Sequence, residues 1–364
     1  MTTPGVLTET SNFSIPVSSP VHKGKVRSVY WLSDTDSQAL CERRGYELPD
    51  GETLGIMIIS DRLSAFECLW TAEGEMGGVP LKGASLNAIA LHWFEAFSKA
   101  GIAEHHIVET PHPLLWVIRR AKPLMFEGIV RQYITGSLWR AYDRGKRVVC
   151  GVELAEGLTK NQRLPSLLFT PTTKGTLYGL EGILEDEDTA VSREQILRYS
   201  KAFNLASSED LDAVVSILER AVALMEGQLA AAGQIFVDTK FEFGYFREKD
   251  GSLKLRLMDE VGTPDSSRFW DAAAFKEGHV LEVTKEAFRG YLLEHLDRDI
   301  LTRSERFAER KVLAAEYRVP MDAWMEVSGI YAGIAEQITG QAITGIERPR
   351  EELLETLSSL QLLR

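Results

Sequence analysis

An alternation of apolar and polar residues begins just after Gly233 and continues to Phe243. One set of alternate positions holds Ile235, Val237, Thr239, Phe241 and Phe243, and the other holds Asp238, Lys240 and Glu242. Successive side chains of a β-strand point to opposite faces, so this pattern predicts a strand with one charged face. Residues 249–252 (KDGS) are typical of a two-residue hairpin turn, and residues 253–259 then form the return strand. The sequence therefore predicts a long antiparallel hairpin.

The register of this hairpin predicts a pair of facing carboxylates. If residues 250–251 form the loop, the count places Glu242 directly opposite Asp259. Facing like charges are destabilising, and a divalent cation with oxygen ligands would compensate them. Lys240, on the same face, could share this compensation. An ion-pair network without a metal explains the same residues equally well. Repelling carboxylates predict that Asp259→Asn leaves the unliganded fold at least as stable, whereas an ion network predicts a loss of stability.

The remaining sequence mixes strands with amphipathic helices. Residues 54–59 (LGIMII) predict a buried strand. Apolar residues recur at helical spacing over 85–99 and 211–229, and residues 192–195 (SREQ) form a capping box that opens another helix. Beyond Trp270 the chain is mainly helical. This order of elements predicts an α+β architecture.

The charge of the chain limits its partners. A formal net charge of -12 disfavours non-specific binding to nucleic acid or to an anionic membrane, because phosphate-rich surfaces would repel the protein. No apolar run approaches the ~20 residues that span a bilayer, and the separated cysteines fit reduced thiols, so a cytoplasmic protein is expected. An anionic small molecule would need a local basic cluster. The candidates beside Gly, Ser or Thr are Lys23, Lys25, Arg62, Arg131, Lys174 and Arg268.

Several common catalytic motifs are missing from the sequence. It contains no G-x-x-x-x-G-K-[ST] and no G-x-G-x-x-G after a predicted strand, which disfavours a P-loop or dinucleotide-binding fold. It also lacks G-x-S-x-G, H-E-x-x-H and a Cys/His pair suited to a nucleophile. A Mg²⁺-nucleotide site that works by positioning and charge neutralisation would leave this sparse pattern.

A series of motifs in a fixed order identifies a resemblance to a known family. The motifs are residues 24–30 (GKVRSVY), 59–67 (ISDRLSAFE), 130–137 (VRQYITGS), 169–174 (FTPTTK), 238–244 (DTKFEFG) and 258–270 (MDEVGTPDSSRFW). The chain resembles the phosphoribosylaminoimidazole-succinocarboxamide synthase, or SAICAR synthetase, family. The resemblance implies a two-lobed fold related to ATP-grasp enzymes and protein kinases. It also implies an N-terminal lobe over 1–125, an α+β lobe over 126–296 and a helical C-terminal extension over 297–364.

The resemblance also implies a reaction and the residues that carry it. ATP would drive ligation of L-aspartate to the carboxylate of carboxyaminoimidazole ribonucleotide (CAIR), giving SAICAR, ADP and phosphate. The residues implied for ATP are Lys23, Lys25, Met125, Glu127, Lys174, Glu242 and Asp259. Mg²⁺ would be held by Glu242 and Asp259, and Lys240, Lys174 and Asp259 would be catalytic. The residues implied for the ribonucleotide are Ser60, Asp61, Arg62, Arg131, Gly136, Ser137 and Arg268.

The implied mechanism is phosphorylation of the CAIR carboxylate followed by attack of the aspartate amine, with no side chain acting as nucleophile. A small-molecule kinase and a non-catalytic nucleotide-binding module remain as alternatives. The chain departs from the family at residues 284–289 (TKEAFR), where the spacing from Lys to Arg is altered, and no aspartate-binding residue is assigned. The Leu-rich tail predicts core packing or a subunit contact, and the sequence leaves open whether the chain forms a homo-oligomer.

Overall fold

The computed structural model of the protein describes residues 4–175, 177–185 and 188–364. Helices and strands are interspersed, which confirms the predicted α+β class. The strands are β1 (His22–Lys23), β2 (Arg27–Trp31), β3 (Leu54–Ile59), β4 (Leu63–Ala65), β5 (Cys68–Ala72), β6 (Ile107–His112), β7 (Leu115–Arg119), β8 (Lys122–Pro123), β9 (Phe126–Tyr133), β10 (Val148–Val149), β11 (Val152–Glu153), β12 (Arg163–Phe169), β13 (Thr172–Thr173), β14 (Gln234–Arg247), β15 (Leu253–Met258), β16 (Ser267–Asp271) and β17 (Arg318–Val319). The helices are α1 (Asp34–Arg44), α2 (Lys82–Lys99), α3 (Gly136–Asp143), α4 (Arg193–Arg198), α5 (Ser208–Ala231), α6 (Ala272–Lys276), α7 (Lys285–His295), α8 (Arg298–Thr302), α9 (Phe307–Glu316), α10 (Met321–Thr339) and α11 (Pro349–Ser359).

The N-terminal sheet is antiparallel and has the strand order β1, β2, β3, β7, β6. The apolar run of β3 occupies its centre and is fully buried, as its sequence predicts. Strands β1 and β2 form a hairpin, in which the amide of Gly24 donates to the carbonyl of Arg27. This geometry leaves Lys25 in the turn and Lys23 on the short edge strand.

The second sheet is built around β14, which pairs with β8, β9, β15 and β16. Strand β14 is long enough to bridge two groups of strands: its first half lies between β9 and β16, and its second half pairs with β15. Helix α5 packs on this sheet through an apolar stripe that includes Leu218, Val222 and Met225. The sheet therefore brings together most of the charged motif residues.

The β14–β15 hairpin exists, but its predicted register is wrong by one residue. Arg247 pairs with Leu253, and Glu242 pairs with Met258 rather than with Asp259. The loop comprises residues 249–251, because the amide of Glu248 donates to the carbonyl of Ser252. Gly251 has a φ of 81°. A glycine in this left-handed conformation allows the longer hairpin loop, which the two-residue count did not include.

The predicted alternation along β14 is also interrupted near its start. The register shifts between Phe236 and Asp238, so that one residue of β14 is unpaired with β16. Such a bulge reverses the faces of the residues that precede it. Consequently Val237 packs with Trp270 in a small separate cluster, whereas Phe241 joins the main core. The prediction of a single apolar face was therefore wrong at Ile235 and Val237.

Helix α2 connects the two halves of the core. Its Trp93 and Phe97 lie in the cluster formed with α5 and the second sheet, whereas its Leu86 lies in the cluster formed with the N-terminal sheet. Gly262 closes tightly on this helix: it has a φ of 65°, and a Cβ at this position would lie 2.4 Å from the Trp93 ring. Position 262 therefore requires glycine, both because its backbone is left-handed and because a side chain would collide with Trp93.

Gly262→Ala is expected to destabilise the protein more than Gly251→Ala. Both glycines have a positive φ, but a Cβ at Gly251 would meet nothing within 4 Å. The change at Gly251 should cost about 1 kcal/mol, the usual penalty for a left-handed non-glycine residue. The collision with Trp93 should add about 1–3 kcal/mol. Chemical denaturation of the two variants measures the difference, and equal losses of stability would contradict the packing described.

The C-terminal helices pack on α2 and on the segment before it. On α10, the Trp324 indole donates to the carbonyl of Gly78 at 2.9 Å, and the Ser328 hydroxyl donates to the carbonyl of Pro80 at 2.7 Å. Strand β17 pairs in parallel with β5. These contacts bring the far end of the chain close to the motif residues.

Candidate active site

A cavity of about 540 Å³ lies between the two sheets. The N-terminal sheet contributes Lys25 and the apolar side chains of Val29 and Met57, while the second sheet contributes Glu127 and Lys240. One wall is thus partly apolar and the other is charged. A ligand with an apolar ring and an anionic tail matches this distribution.

Lys240 links several carboxylates on the charged wall. Its Nζ lies 2.9 Å from Glu127 Oε1, 2.7 Å from Glu242 Oε1 and 3.9 Å from Asp259 Oδ2. Burial disfavours the ammonium form, but the negative charges of Asp259 and Glu127 outweigh burial and raise the pKa of Lys240. The lysine is therefore a fixed positive charge facing the cavity.

Glu242 is held between two lysines. Its side chain is only 3% exposed, its Oε1 accepts from Lys240, and its Oε2 contacts the Lys174 ammonium. Burial lowers the pKa of Lys174, although the charge of Asp259 opposes this change. The sequence motif at 169–174 and the motif at 238–244 thus meet at one buried carboxylate.

Asp259 joins the same cluster from the end of β15. It does not face Glu242 across the hairpin, and its backbone has a φ of 60°, which directs the chain out of the strand. Burial opposes ionisation of Asp259, but the positive charges of Arg27, Lys240 and Lys174 outweigh it and lower the pKa of the carboxyl to about 2. The cluster is therefore an ion network of lysines and carboxylates, which was the alternative to repelling carboxylates.

Arg27 and Glu260 lie in the family-like motifs, but the sequence suggested no role for either residue. Arg27 Nη2 lies 2.8 Å from Glu260 Oε2, and the Thr263 hydroxyl donates to the same oxygen at 2.7 Å. Both residues line the cavity. This pair ties β2 of the N-terminal sheet to the loop after β15, so that it fixes the distance between the two walls.

A smaller cavity of about 90 Å³ adjoins the first and is lined by Arg268, which forms a pair with Arg131 through a shared carboxylate. Asp238 Oδ2 accepts from Arg131 Nη1 at 3.0 Å and from Arg268 Nη1 at 2.7 Å. Arg131 also donates to the Thr170 hydroxyl at 2.9 Å. The two guanidinium groups are therefore held side by side by one buried carboxylate, with Arg268 lining the cavity.

The segment at the start of α3 lies against this pair. Gly136 has a φ of 56°, and a Cβ there would lie 2.7 Å from Arg268 Nη2, so glycine lets the guanidinium approach the backbone. Ser137 is exposed at the first turn of α3. Amides at a helix N-terminus together with an arginine favour an anion.

Ser60, Asp61 and Arg62, which were implied for the ribonucleotide, are not among the described residues that line either cavity. The Asp61 carboxylate is buried and accepts from the amides of Leu7 at 2.7 Å and Gly83 at 2.8 Å. Burial raises the pKa of Asp61 to about 6. The Arg62 Nε donates to the Ser60 hydroxyl at 3.1 Å. The Ser60 hydroxyl donates to the carbonyl of Val26 at 2.7 Å, and Arg62 Nη2 donates to the carbonyl of Gly24 at 3.4 Å. The three residues therefore hold the start of α2 and the β1–β2 turn.

Three residues implied for ATP lie beside the main cavity rather than on its lining: Lys23, Met125 and Glu242, the last of which is described above. Lys23 is exposed on β1, one residue from Gly24, which lines the cavity. Met125 precedes β9; its amide donates to the carbonyl of Phe203 and its carbonyl accepts from the amide of Lys174, each at 3.0 Å. The Met125 main chain therefore positions Lys174.

Residues from α7 and from the loop between β15 and β16 line both cavities but were not assigned from the sequence. These residues are Asp265, Ser266, Lys285 and Arg289. Lys285 and Arg289 belong to the 284–289 segment whose spacing differs from the family. Their separation of four residues places them on one helical face, which periodicity alone could have indicated.

The carboxylates of the main cavity fit a metal that arrives with a nucleotide. Within the part of the chain that the structure describes, no group of three or more His, Cys, Asp or Glu residues is arranged to hold a metal ion. Mg²⁺ in nucleotide sites commonly uses one or two carboxylates together with phosphate oxygens. Asp259 is ionised and 26% exposed toward the cavity, so it suits this role, whereas Glu242 is already paired with lysines.

Comparisons with known proteins agree with the motif resemblance. A family model described as SAICAR synthetase matches residues 20–300. The phosphoribosylaminoimidazole-succinocarboxamide synthase of Shewanella frigidimarina (strain NCIMB 400) is 48% identical over 353 residues, covering 97% of this chain and 96% of the relative. The enzyme of the same name from Shewanella sp. (strain MR-7) is 49% identical over the same length and coverage.

Solved structures show a similar fold. A structure named SAICAR synthase has a TM-score of 0.63 at 24% identity and covers 93% of this chain and 99% of its own. The SAICAR synthase of Saccharomyces cerevisiae in complex with SAICAR has a TM-score of 0.62 at 24% identity and covers 92% of this chain and 98% of its own. Among the helices that the structure describes, none is long and apolar enough to cross a membrane.

Proposed function

The chain belongs to the SAICAR synthetase family, and we propose that the two adjoining cavities between its sheets form the active site. It is an ATP-dependent ligase of purine biosynthesis that joins L-aspartate to the carboxylate of CAIR, giving SAICAR, ADP and phosphate. The observation that carries the assignment of the site is the lysine–carboxylate cluster of the main cavity, which lies next to the arginine pair. The phosphates of a nucleoside triphosphate would bind at the lysine–carboxylate cluster, and an anionic substrate would bind at the arginine pair.

ATP is proposed to occupy the main cavity. The apolar side chains of Val29 and Met57 suit the adenine ring, and Lys25, Lys174 and Lys240 suit the phosphates. Mg²⁺ bound with ATP would be held by Asp259, with Glu242 close by, and would supply additional positive charge at the phosphates. Glu127 lines this site and Lys23 and Met125 lie beside it, and the family resemblance implies all three for ATP.

CAIR is proposed to bind at the arginine pair. Arg268 lines the smaller cavity, and Arg131 supports it through their shared contact with Asp238. Gly136 and Ser137 begin α3 beside Arg268, so their amides would add to an anion-binding surface. Ser60, Asp61 and Arg62 remain a prediction for the ribonucleotide, because their present contacts are within the protein.

The proposed mechanism converts a carboxylate, which resists attack by an amine, into an acyl phosphate. A carboxylate oxygen of CAIR forms a bond to the γ-phosphorus of ATP, and the bond from that phosphorus to ADP breaks. The aspartate amine then attacks the acyl carbon, phosphate leaves with the bonding electron pair, and the nitrogen loses a proton. Lys174 and Lys240 hold positive charge where the phosphoryl group transfers, and the arginine pair holds the substrate in line.

An assay in which each substrate is omitted in turn tests the function. The ligase requires ATP, CAIR and L-aspartate together for sustained release of phosphate and formation of SAICAR. A small-molecule kinase would not need aspartate, and a nucleotide-binding module would release no phosphate. Turnover that is independent of aspartate would therefore overturn the proposal.

Lys25→Ala is expected to raise the KM for ATP severalfold and to lower kcat. Lys25 lies in the β1–β2 turn and lines the main cavity, so its charge would act on the phosphates in both the ground state and the transition state. Steady-state kinetics with ATP as the varied substrate measure the change. Lys23→Ala is the matched comparison and should have the smaller effect, because Lys23 lies on the edge strand. An effect of Lys25→Ala on thermal stability alone would contradict the assignment.

A further inference from the structure

A buried cluster joins the C-terminal helix α10 to the wall shared by the two cavities. Asp265, in the loop between β15 and β16, lines both cavities. Its Oδ2 accepts from Lys82 Nζ at 2.8 Å, and its Oδ1 accepts from the Tyr331 hydroxyl. Lys82 and Tyr331 are completely buried. Tyr331 lies outside residues 20–300, the segment that matches the family model.

The three side chains fix one another in position. The Lys82 ammonium lies 5.2 Å from the centre of the Tyr331 ring as well as in contact with Asp265. A buried carboxylate that accepts from an ammonium and a phenol has few alternative orientations, because losing either bond would leave a buried polar group unsatisfied. Lys82 of α2 and Tyr331 of α10 therefore hold the Asp265 carboxylate from behind the cavity wall.

Asp265 also contacts Lys285. Lys285 Nζ lies 3.7 Å from Asp265 Oδ1, the oxygen that accepts from Tyr331. The Lys285 side chain is 13% exposed and, like Asp265, lines both cavities. Lys285 therefore lies between the main cavity, proposed for ATP, and the smaller cavity, proposed for CAIR. A substrate carboxylate would meet the nucleotide at this boundary.

We propose that Tyr331 is a positioning residue for the ligase reaction. With Lys82 it fixes the Asp265 carboxylate, and Asp265 in turn holds the Lys285 ammonium toward a carboxylate of CAIR or of L-aspartate. This inference rests on the proposed function of the cavities. It gives the C-terminal helical region a role in substrate binding in addition to core packing.

Tyr331→Phe tests the inference because it removes one oxygen and keeps the aromatic ring. It is expected to raise the KM for CAIR, for aspartate or for both by roughly three- to tenfold, the range of one lost hydrogen bond of ordinary net strength, because Tyr331 acts on the substrate only through Asp265 and Lys285. The KM for ATP should stay within about twofold, since Tyr331 is proposed to act through Lys285 on a substrate carboxylate and not through Lys25, Lys174 or Lys240, the lysines proposed for the phosphates. A rise for one substrate alone identifies the carboxylate that Lys285 binds.

Ser328→Ala is the matched control. Ser328 lies on the same helix and donates a buried hydrogen bond to the carbonyl of Pro80, but it has no contact with Asp265. Thermal melts should show similar small losses of stability for the two variants, and only Tyr331→Phe should alter the KM values. Unchanged kinetics, an equal rise in all three KM values, or unfolding of Tyr331→Phe alone would assign Tyr331 a purely structural role and overturn the inference.

A double-mutant cycle with Lys285→Met tests the path of the effect. If Tyr331 acts through Lys285, the effect of Tyr331→Phe on KM should largely disappear in the Lys285→Met background. Additive effects would overturn the proposed path. Wild-type protein that released no phosphate with all three substrates would overturn the proposed function itself, whereas an active wild type with an unaltered Tyr331→Phe variant would overturn only this inference.

Discussion

Asp259→Asn is expected to lower turnover on the order of 10²–10³-fold, the usual effect of removing a single charge-stabilising group from an active site. The same change should lower the stability of the unliganded protein. Asp259 lies among Arg27, Lys240 and Lys174, so neutralising it leaves several buried positive charges with fewer partners. Facing carboxylates predicted an unliganded Asp259→Asn variant at least as stable as the wild type, whereas the contacts of Asp259 in the structure predict a less stable one.

The size and sign of the stability change follow from the pKa of Asp259. The positive neighbours lower this pKa from 3.8 to about 2. A carboxyl with a lowered folded-state pKa contributes stability that is present above the unfolded-state value and is lost as pH falls. The contribution is roughly 2 kcal/mol at neutral pH and should disappear between about pH 4 and pH 2.

Thermal melts and turnover of Asp259→Asn measure both effects. Asp250→Asn is the control, because Asp250 lies at the exposed tip of the same hairpin, far from the lysine cluster. A variant of Asp259 that kept most of its turnover and its stabilisation by Mg²⁺-ATP would contradict the assignment of this residue to the nucleotide site. An unliganded variant more stable than wild type would contradict the ion network.

Arg268→Ala is expected to weaken the use of CAIR about ten- to a hundredfold, because a hydrogen bond to a charged group contributes about 1.5–3 kcal/mol. The KM for ATP should change little. Asp238 would still accept from Arg131 at 3.0 Å, so the fold should survive the loss of its other partner. Steady-state kinetics with CAIR and ATP varied separately measure the effect.

Arg163→Ala is the matched control for this variant. Arg163 pairs with Glu226 at 3.1 Å on the surface, and its side chain is 60% exposed. An exposed ion pair of this kind contributes little to stability or activity. If Arg268→Ala impaired ATP and CAIR to the same degree, Arg268 would belong to the general architecture of the site rather than to the ribonucleotide pocket.

Local patterns in the sequence predicted the elements of the fold well. The buried run of β3, the stripe of α5 and the alternation of β14 beyond Val237 each depend on neighbouring residues, so period and composition were sufficient. The hairpin register was not predictable from the KDGS turn, because the left-handed conformation of Gly251 permits a loop one residue longer than the two-residue turn. The bulge near Val237 has no distinct sequence pattern, and it places the side chains of Ile235 and Val237 on the face opposite to the predicted one.

The site was predictable where motif residues contact one another and was missed where distant segments meet. Lys174, Lys240 and Asp259 lie in recognisable motifs and do form one cluster. The contact of Asp265 with Tyr331 joins residues 66 positions apart on different elements. No local period or spacing specifies such a contact, since it depends on how α10 packs against α2.

The most direct test of the proposed chemistry follows an oxygen atom. CAIR labelled with ¹⁸O at both carboxylate oxygens is supplied with unlabelled ATP and L-aspartate, and the released phosphate is analysed by mass spectrometry. If a CAIR carboxylate oxygen attacks the γ-phosphorus in this cavity, each phosphate formed carries one ¹⁸O atom and the amide of SAICAR keeps the other. Release of unlabelled phosphate in step with SAICAR would contradict the acyl-phosphate mechanism.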